Sequence, residues 1–245
     1  NVPTNFWEQA IPQLREEKNV FMLAEAWQPE LMENNLFDMV YGWDFHHEMN
    51  KIAQGELTAE AWEEKMQEMK EKYKTEHILM NFTSNHDENS WSGTVKERLN
   101  GGVETFAALT FTAPGMPLIY SGQEYDMNKR LRFFEKDTIS KENNHMFSVY
   151  KKLGQLKNEN VALNGGQQPA SYEPLENSAP KKVIAFKRMK DGNEIIYLAN
   201  VTDKEVEVEV NLEGDFQDYM NNNKTLTIKK NQKIKMLPWE YHILK

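Results

Sequence analysis

The sequence predicts an α/β region followed by an all-β region. Three observations carry this prediction. Up to about Asn158, apolar runs short enough for buried strands alternate with helical patterns, as in β/α units built around a parallel sheet. After Asn164-Gly165-Gly166 the runs become short and alternating, with turn signals between them. Two of the early runs also end in acids. Val20-Phe21-Met22-Leu23-Ala24 leads into Glu25, and Ile78-Leu79-Met80-Asn81-Phe82 leads through Thr83-Ser84-Asn85-His86 to Asp87.

The elements follow in order. Thr4-Asn5 before Phe6-Trp7-Glu8 resembles an N-cap with Glu8 three residues after Asn5, so a helix is expected to roughly Lys18. Pro12 has to lie near its start or kink it. A strand over Val20 to Ala24 comes next, then a loop with Pro29 and Asn34-Asn35, then a second apolar run from Leu36 to Tyr41. Thr58 to Lys74 reads as a long helix whose Glu63, Glu64, Glu68 and Lys72 mark a solvated face. A strand from Ile78 to Phe82 precedes an apolar helix from Gly102 to about Thr112, which Ala113-Pro114-Gly115 ends. A fourth strand runs from Met116 to Tyr120. A polar excursion, Ser121 to Asn144, leads to a helix near Met146 to Lys157. Four strand–helix units are half of an eight-unit barrel, which takes roughly 250 residues.

Beyond a boundary at about 158 to 168, strand-like runs cover Lys182–Arg188, Glu194–Asn200 and Lys204–Leu212, separated by Asp191-Gly192 and Thr202-Asp203. Val206, Val208 and Val210 alternate with Glu205, Glu207 and Glu209, which gives one apolar face. Thr225–Ile228, Lys233–Leu237 and Glu240–Leu244 continue the series toward a small antiparallel β-sandwich. The expected division is 1–162 for a partial barrel and 163–245 for the sandwich.

Bulk properties exclude several classes. The 245 residues are 39% hydrophobic, 27% charged and 11% aromatic, which suits packed cores and argues against disorder. A net charge of -9 disfavours a nucleic-acid partner, which selects a basic stripe. With no cysteine, disulfides and thiolate metal sites are ruled out. No apolar run reaches the roughly 18 residues of a membrane span. These features imply a soluble protein and leave open whether the parent is secreted or periplasmic. The sequons at Asn81, Asn200 and Asn223 read as chance, because Asn81 falls inside a buried strand.

Ligands gather at the carboxyl ends of parallel strands. Two acids delivered to one such rim meet the requirement of retaining glycosidic cleavage, in which one carboxylic acid protonates the leaving oxygen and a carboxylate attacks the anomeric carbon. Glu25 beside Trp27 suits a general acid in a partly apolar pocket. Asp87 suits a neighbouring charge, and His86 a donor to a substrate oxygen.

These segments resemble the α-amylase family of retaining glycoside hydrolases. Phe82-Thr83-Ser84-Asn85-His86-Asp87 is similar to that family's Phe-x-x-Asn-His-Asp at barrel strand seven. Leu23-Ala24-Glu25-Ala26-Trp27 resembles strand five, with Ala24 where the family more often has Gly. Gly115-Met116-Pro117-Leu118-Ile119-Tyr120-Ser121-Gly122-Gln123-Glu124 matches the strand-eight segment, and Phe37-Asp38-Met39-Val40-Tyr41 looks like strand six. The resemblance implies the C-terminal half of a TIM-type (β/α)8 barrel, strands five to eight, followed by the family's β-sandwich. By the same likeness Glu25 is the general acid/base and Asp87 the transition-state stabiliser, with His86, Asn85 and Trp27 binding substrate.

The family's Gly-x-Arg-x-Asp motif, which carries the nucleophilic aspartate at strand four, has no match here. The strand-three motif is absent too. The inserted domain and the usual calcium site are likewise expected in a missing N-terminal half, so no cofactor or metal is expected in this chain. The expectation is a fragment inactive alone, whose parent acts on α-glucans or maltooligosaccharides. Hydrolysis, transglycosylation and attack on α-1,6 bonds or trehalose share these motifs. The competing reading is a non-catalytic carbohydrate-binding or interaction protein on the same scaffold. Open half-barrel edges also point to a homodimer. No nucleic-acid or membrane partner is expected.

Several residues have blander readings. His46-His47-Glu48 lacks the i, i+4 spacing that puts two imidazoles on one helical face, so it does not make a metal motif. Trp27, Trp91, Tyr120 and Tyr125 are candidates to stack on sugar rings, with core or loop packing as the alternative for each. Glu124 and Asp126 read as loop surface at the same rim. Lys129-Arg130-Leu131-Arg132 is too short a basic run for a nucleic-acid site in an acidic chain.

Overall fold

A computed structural model describes residues 2–245. Helix α1 (Thr4–Glu17) leads to β1 (Leu23–Ala24), β2 (Met39–Tyr41), α2 (Trp43–Ala53), α3 (Glu60–Lys72) and β3 (Ile78–Phe82). Then come α4 (Val95–Leu99), α5 (Val103–Thr112), β4 (Met116–Leu118) and α6 (His145–Glu159). Strands β1 to β4 form one parallel sheet in sequence order. Leu23 pairs with Met39, Val40 with Leu79, and Phe82 with Leu118. Successive residues face opposite sides. Met39, Tyr41, Met80 and Phe82 form one buried cluster, whereas Val40 and Leu79 join Phe45, Met49, Phe106 and Leu109 under the helices. Among the described residues the sheet is not closed: β1 pairs only with β2, and β4 only with β3.

The second region contains β5 (Ser171–Pro174), β6 (Val183–Lys190), β7 (Asn193–Asn200), β8 (Val206–Glu209), β9 (Gly214–Asp218), β10 (Lys224–Ile228), β11 (Lys233–Met236) and β12 (Tyr241–Leu244). A six-stranded sheet, β10-β9-β12-β7-β6-β5, accompanies a two-stranded sheet, β11-β8. Val206, Val208 and Val210 pack with Ile196, Leu198 and Met236 between the sheets. On β7 the alternate residues Ile195, Tyr197 and Ala199 turn the other way, into the core shared with Phe106 and Leu109. Burial on both faces is why β6 and β7 read as nearly continuous apolar runs.

Several elements differ from expectation. Helix α1 starts after Pro3 with no side-chain cap, and Asn5 lies inside it. Pro12 sits well within this helix. Strand β1 keeps only two residues of the expected five, and Phe21 and Leu23 are exposed. With one strand neighbour, half of its ladder goes unpaired. Helix α2 is not among the expected elements, and His46-His47-Glu48 lies within it. Its buried Phe45, Met49 and Ile52 keep helical spacing. Strands β5 and β9 are short and carry Pro174 and Gly214, which hid them. Asn81 and Asn200 are buried, and each donates to two backbone carbonyls, so neither side chain is open to a glycan.

Two basic side chains, the buried Arg188 and the part-buried Lys157, fasten the regions together. Arg188 on β6 donates to the carbonyls of Ser171 (2.7 Å), Thr112 (2.9 Å) and Asn164 (3.1 Å). Lys157 on α6 donates to Gly115 O and Leu163 O, both at 2.8 Å. Burial, with Arg188 adding to it, lowers the Lys157 amine to about 7. An unfolded lysine titrates near about 10.4. Between those values the unfolded chain holds a proton that the native chain lacks, so stability from this group rises with pH. The urea midpoint of the wild type should therefore climb between about pH 7 and 9 more steeply than that of Lys157→Met. Equal slopes would remove Lys157 as the source.

Candidate active site

Glu25 immediately follows β1, whose Ala24 pairs with Val40, so Tyr41 at the end of β2 lies beside it. Strands β1 and β3 stand two ladder spacings apart, roughly 10 Å. The side chains close that gap. Glu25, His86 and Asp87 each place one ligand-type atom within 4.8 Å of the others. His86 Nε2 lies 3.6 Å from Glu25 Oε1 and 3.8 Å from Asp87 Oδ2. The side chains are 46%, 46% and 42% exposed for Glu25, His86 and Asp87, so they line an open rim. The partly apolar pocket expected over Glu25 is therefore not closed by the described residues. Trp27, at the same strand end, is half-exposed. Tyr41 is buried beneath the acids. Burial pushes its phenol up, and the charges of Glu25 and Asp87 push the same way.

A buried polar frame holds the loop after β3. Arg98 on α4 donates to Gly93 O (2.9 Å), Asn50 Oδ1 (2.8 Å), Thr83 O (2.8 Å) and Ser84 Oγ (3.2 Å). His46 is fully buried, with Nδ1 3.0 Å from Phe82 O and Nε2 2.9 Å from a Glu88 carboxylate oxygen. Burial outweighs these two bonds and pushes the imidazole down, while the His46 bond holds Glu88 below the usual carboxylate range. Gln123, after β4, donates to Thr83 Oγ1 at 2.7 Å and accepts from Tyr120 N at 2.8 Å. The glycine that opens the strand-eight segment is sterically required. Gly115 has φ +115°, and a Cβ there would lie 2.3 Å from Leu79 O.

The other expected site residues are distributed around this frame. Asn85 lies beneath the rim, buried, and its Oδ1 accepts from Glu88 N at 2.8 Å. Its amide nitrogen is buried and has no hydrogen-bond partner among the described residues. Asp126 pairs with Lys96 at 2.8 Å, and Glu124 accepts from Gly122 N, in keeping with loop surface. The basic run 129–132 is internally matched, with Lys129 on Asp137, Arg130 on Glu97 and Arg132 on Glu135. Sequence reasoning missed Tyr41, His46 and Arg98 as contributors. The helical spacing of Phe45, Met49 and Ile52 was the available signal for α2, and the Thr94-x-x-Glu97 capping box marked α4.

Removing Arg98 should loosen this loop. Arg98→Met leaves the Gly93 and Thr83 carbonyls without their donor, each worth about 1–3 kcal/mol when buried. The expected loss is about 3 kcal/mol in denaturant unfolding, with faster amide exchange over residues 83–87 than in β7. An unchanged midpoint would show that water replaces the guanidinium at no cost.

Residues 3–154 match the family model described as alpha amylase, catalytic domain. A curated relative, the cyclomaltodextrinase of Thermoanaerobacter pseudethanolicus, is 24% identical over 217 residues, covering 82% of this chain and 36% of the relative. Among solved structures, a noncanonic maltogenic alpha-amylase from Thermotoga neapolitana superposes with a TM-score of 0.84 at 24% identity, covering 99% of this chain and 58% of that one. An alpha-amylase from Lactobacillus plantarum gives 0.75 at 19% identity, over 99% of this chain and 60% of that one. The chain thus spans between about a third and three fifths of the relatives it matches. With its catalytic-domain match over more than half its length and its acids on one strand-end rim, the chain belongs to the alpha-amylase family of glycoside hydrolases.

Proposed function

We propose that this chain carries the general acid/base and the transition-state stabiliser of a retaining α-glycosidase that acts on α-linked glucans or maltooligosaccharides. The observation that carries this reading is the convergence of Glu25 and Asp87 on His86, within 4.8 Å, at the carboxyl rim of a parallel sheet. Glu25 protonates the leaving glycosidic oxygen and later takes a proton from the incoming water. Asp87 holds sugar hydroxyls and stabilises positive charge at the anomeric carbon. His86 donates to a substrate oxygen, Trp27 offers an aromatic face, and Asn85 supports the loop from beneath.

The retaining route also needs a nucleophilic carboxylate. The Gly-x-Arg-x-Asp motif that supplies one in the family has no match in the 245 residues. The nucleophile is therefore assigned to sequence outside them, placed against the open edge of β1. Nucleophile and acid act as a unit, and a site lacking either loses most of its rate. The second reading, a non-catalytic carbohydrate-binding role, draws on that same missing motif.

Two outcomes test the proposal. The 245-residue chain alone should show no turnover of maltooligosaccharides in a reducing-sugar assay, and measurable turnover would refute the split. In a complete barrel containing this chain, Glu25→Gln should lower kcat by about 10²–10⁴, the range for a general acid. An unchanged rate would take Glu25 out of that role.

A further inference from the structure

Three exposed aromatics stand beside the candidate site without covering any core. Trp91 is 59% exposed, Phe133 38% and Phe134 85%. Their rings touch in sequence, with Trp91 and Phe133 centroids 5.1 Å apart and Phe133 and Phe134 4.8 Å apart. Phe133 also stacks on the His86 ring, at 5.9 Å and 28°. The cluster is therefore continuous with the acid-bearing rim. Full burial of one phenylalanine stabilises a protein by about 1.5–3 kcal/mol, so this loop forgoes a folding gain.

The exposure is enforced rather than loose. Asn89, itself buried, donates to Lys129 O at 3.1 Å and accepts from Leu131 N at 2.7 Å. Ser90 Oγ donates to Leu131 O at 2.8 Å. Arg130 grips the Glu97 carboxylate with two bonds of 3.0 Å, which holds Glu97 down at about 2. Asp137 accepts from Arg132 N at 3.1 Å and from Thr138 N at 2.7 Å, folding the segment back on itself. The loop that bears the phenylalanines and the single π-helical turn that bears Trp91 (Glu88–Ser92) are thus one fixed unit.

The aromatics line a shallow hollow of about 600 Å³, with Ser90, Arg132 and Glu135 beside them. Contiguous apolar surface rimmed by polar groups marks a binding site. A pyranose ring matches it chemically: C–H bonds on its faces meet flat aromatic rings, and hydroxyls around its edge meet the hydroxyl, guanidinium and carboxylate. We infer that Trp91, Phe133 and Phe134 form a stacking platform for glucosyl units of the bound α-glucan beyond the one at Glu25 and Asp87. This inference rests on the glycosidase reading for the identity of the sugar.

Binding tests it without catalysis. The full chain should be retarded by amylopectin in affinity electrophoresis and should bind maltoheptaose in calorimetric titration. Trp91→Ala and Phe134→Ala should each weaken binding about tenfold or more, the scale of a lost stacked ring. Phe134→Tyr should keep the affinity, whereas Phe134→Leu, equally apolar but without a flat ring, should lose it. All four changes lie on exposed side chains, so circular dichroism should match the wild type. Wild-type affinity in both alanine variants overturns the platform, and so does failure of the wild type to bind. Concentration-dependent self-association abolished by Phe134→Leu would also overturn it, since a second copy would then be the occupant. Platform failure alongside Glu25-dependent turnover in the complete barrel sinks only the platform. Platform binding alongside turnover indifferent to Glu25 sinks only the glycosidase assignment.

Discussion

Parallel pairing of β1, β2 and β3 is the constraint on which the candidate site depends. It sends all three carboxyl ends to one rim, so residues far apart in sequence can meet there. Glu25 leaves its strand at once, whereas Asp87 arrives five residues after β3 ends. A slip of one residue in β1 would turn Glu25 to the opposite face of the sheet. The two pairs just before it, Leu23 with Met39 and Ala24 with Val40, therefore fix more than backbone geometry: they decide which face the acid serves.

The loop that brings Asp87 back over the rim is stabilised from below by polar groups, not by apolar packing. Thr83, Ser84 and Asn85 are all buried, and buried polar groups are costly without partners. Arg98 serves Thr83 O and Ser84 Oγ, Gln123 serves Thr83 Oγ1 and Glu88 N serves Asn85 Oδ1, while His46 holds Phe82 O at the root of the loop. The same device recurs in the next loop, where Asn89 and Glu97 hold residues 129–131. Both loops thus keep apolar or ionisable side chains in the open while their backbones remain fixed. Such preorganisation limits what a bound chain must order.

The sandwich and the half-barrel share one hydrophobic core. Tyr197 of β7 is buried among barrel residues and donates to Thr105 O at 2.8 Å, and Tyr241 donates to Glu104 at 2.7 Å. Arg188 and Lys157 satisfy carbonyls from both regions with no carboxylate within ion-pair distance among the described residues. Packing of this kind makes the second region a structural wall of the first, which supports the helices α5 and α6 behind β4.

Much of this was legible from the residues alone. Ile78–Phe82 appears with the expected bounds because its apolar run is continuous and its ends are marked. The alternating valines of β8 likewise announced a one-sided strand. The Asn-His-Asp and Gly-x-Pro segments pointed to the family through fixed local spacing. Other features depended on tertiary contacts and left little local signal. Strand β1 is short because it lacks a second neighbour, and α2 is a helix around a histidine that looks polar until Phe82 and Glu88 surround it. The convergence of Glu25, His86 and Asp87 belongs with these, since residues on strands two places apart meet only through the lean of their side chains. Sequence order fixed which chemical groups the chain carries and the periods of its elements, while only folding determined which of those groups lie within reach of one another.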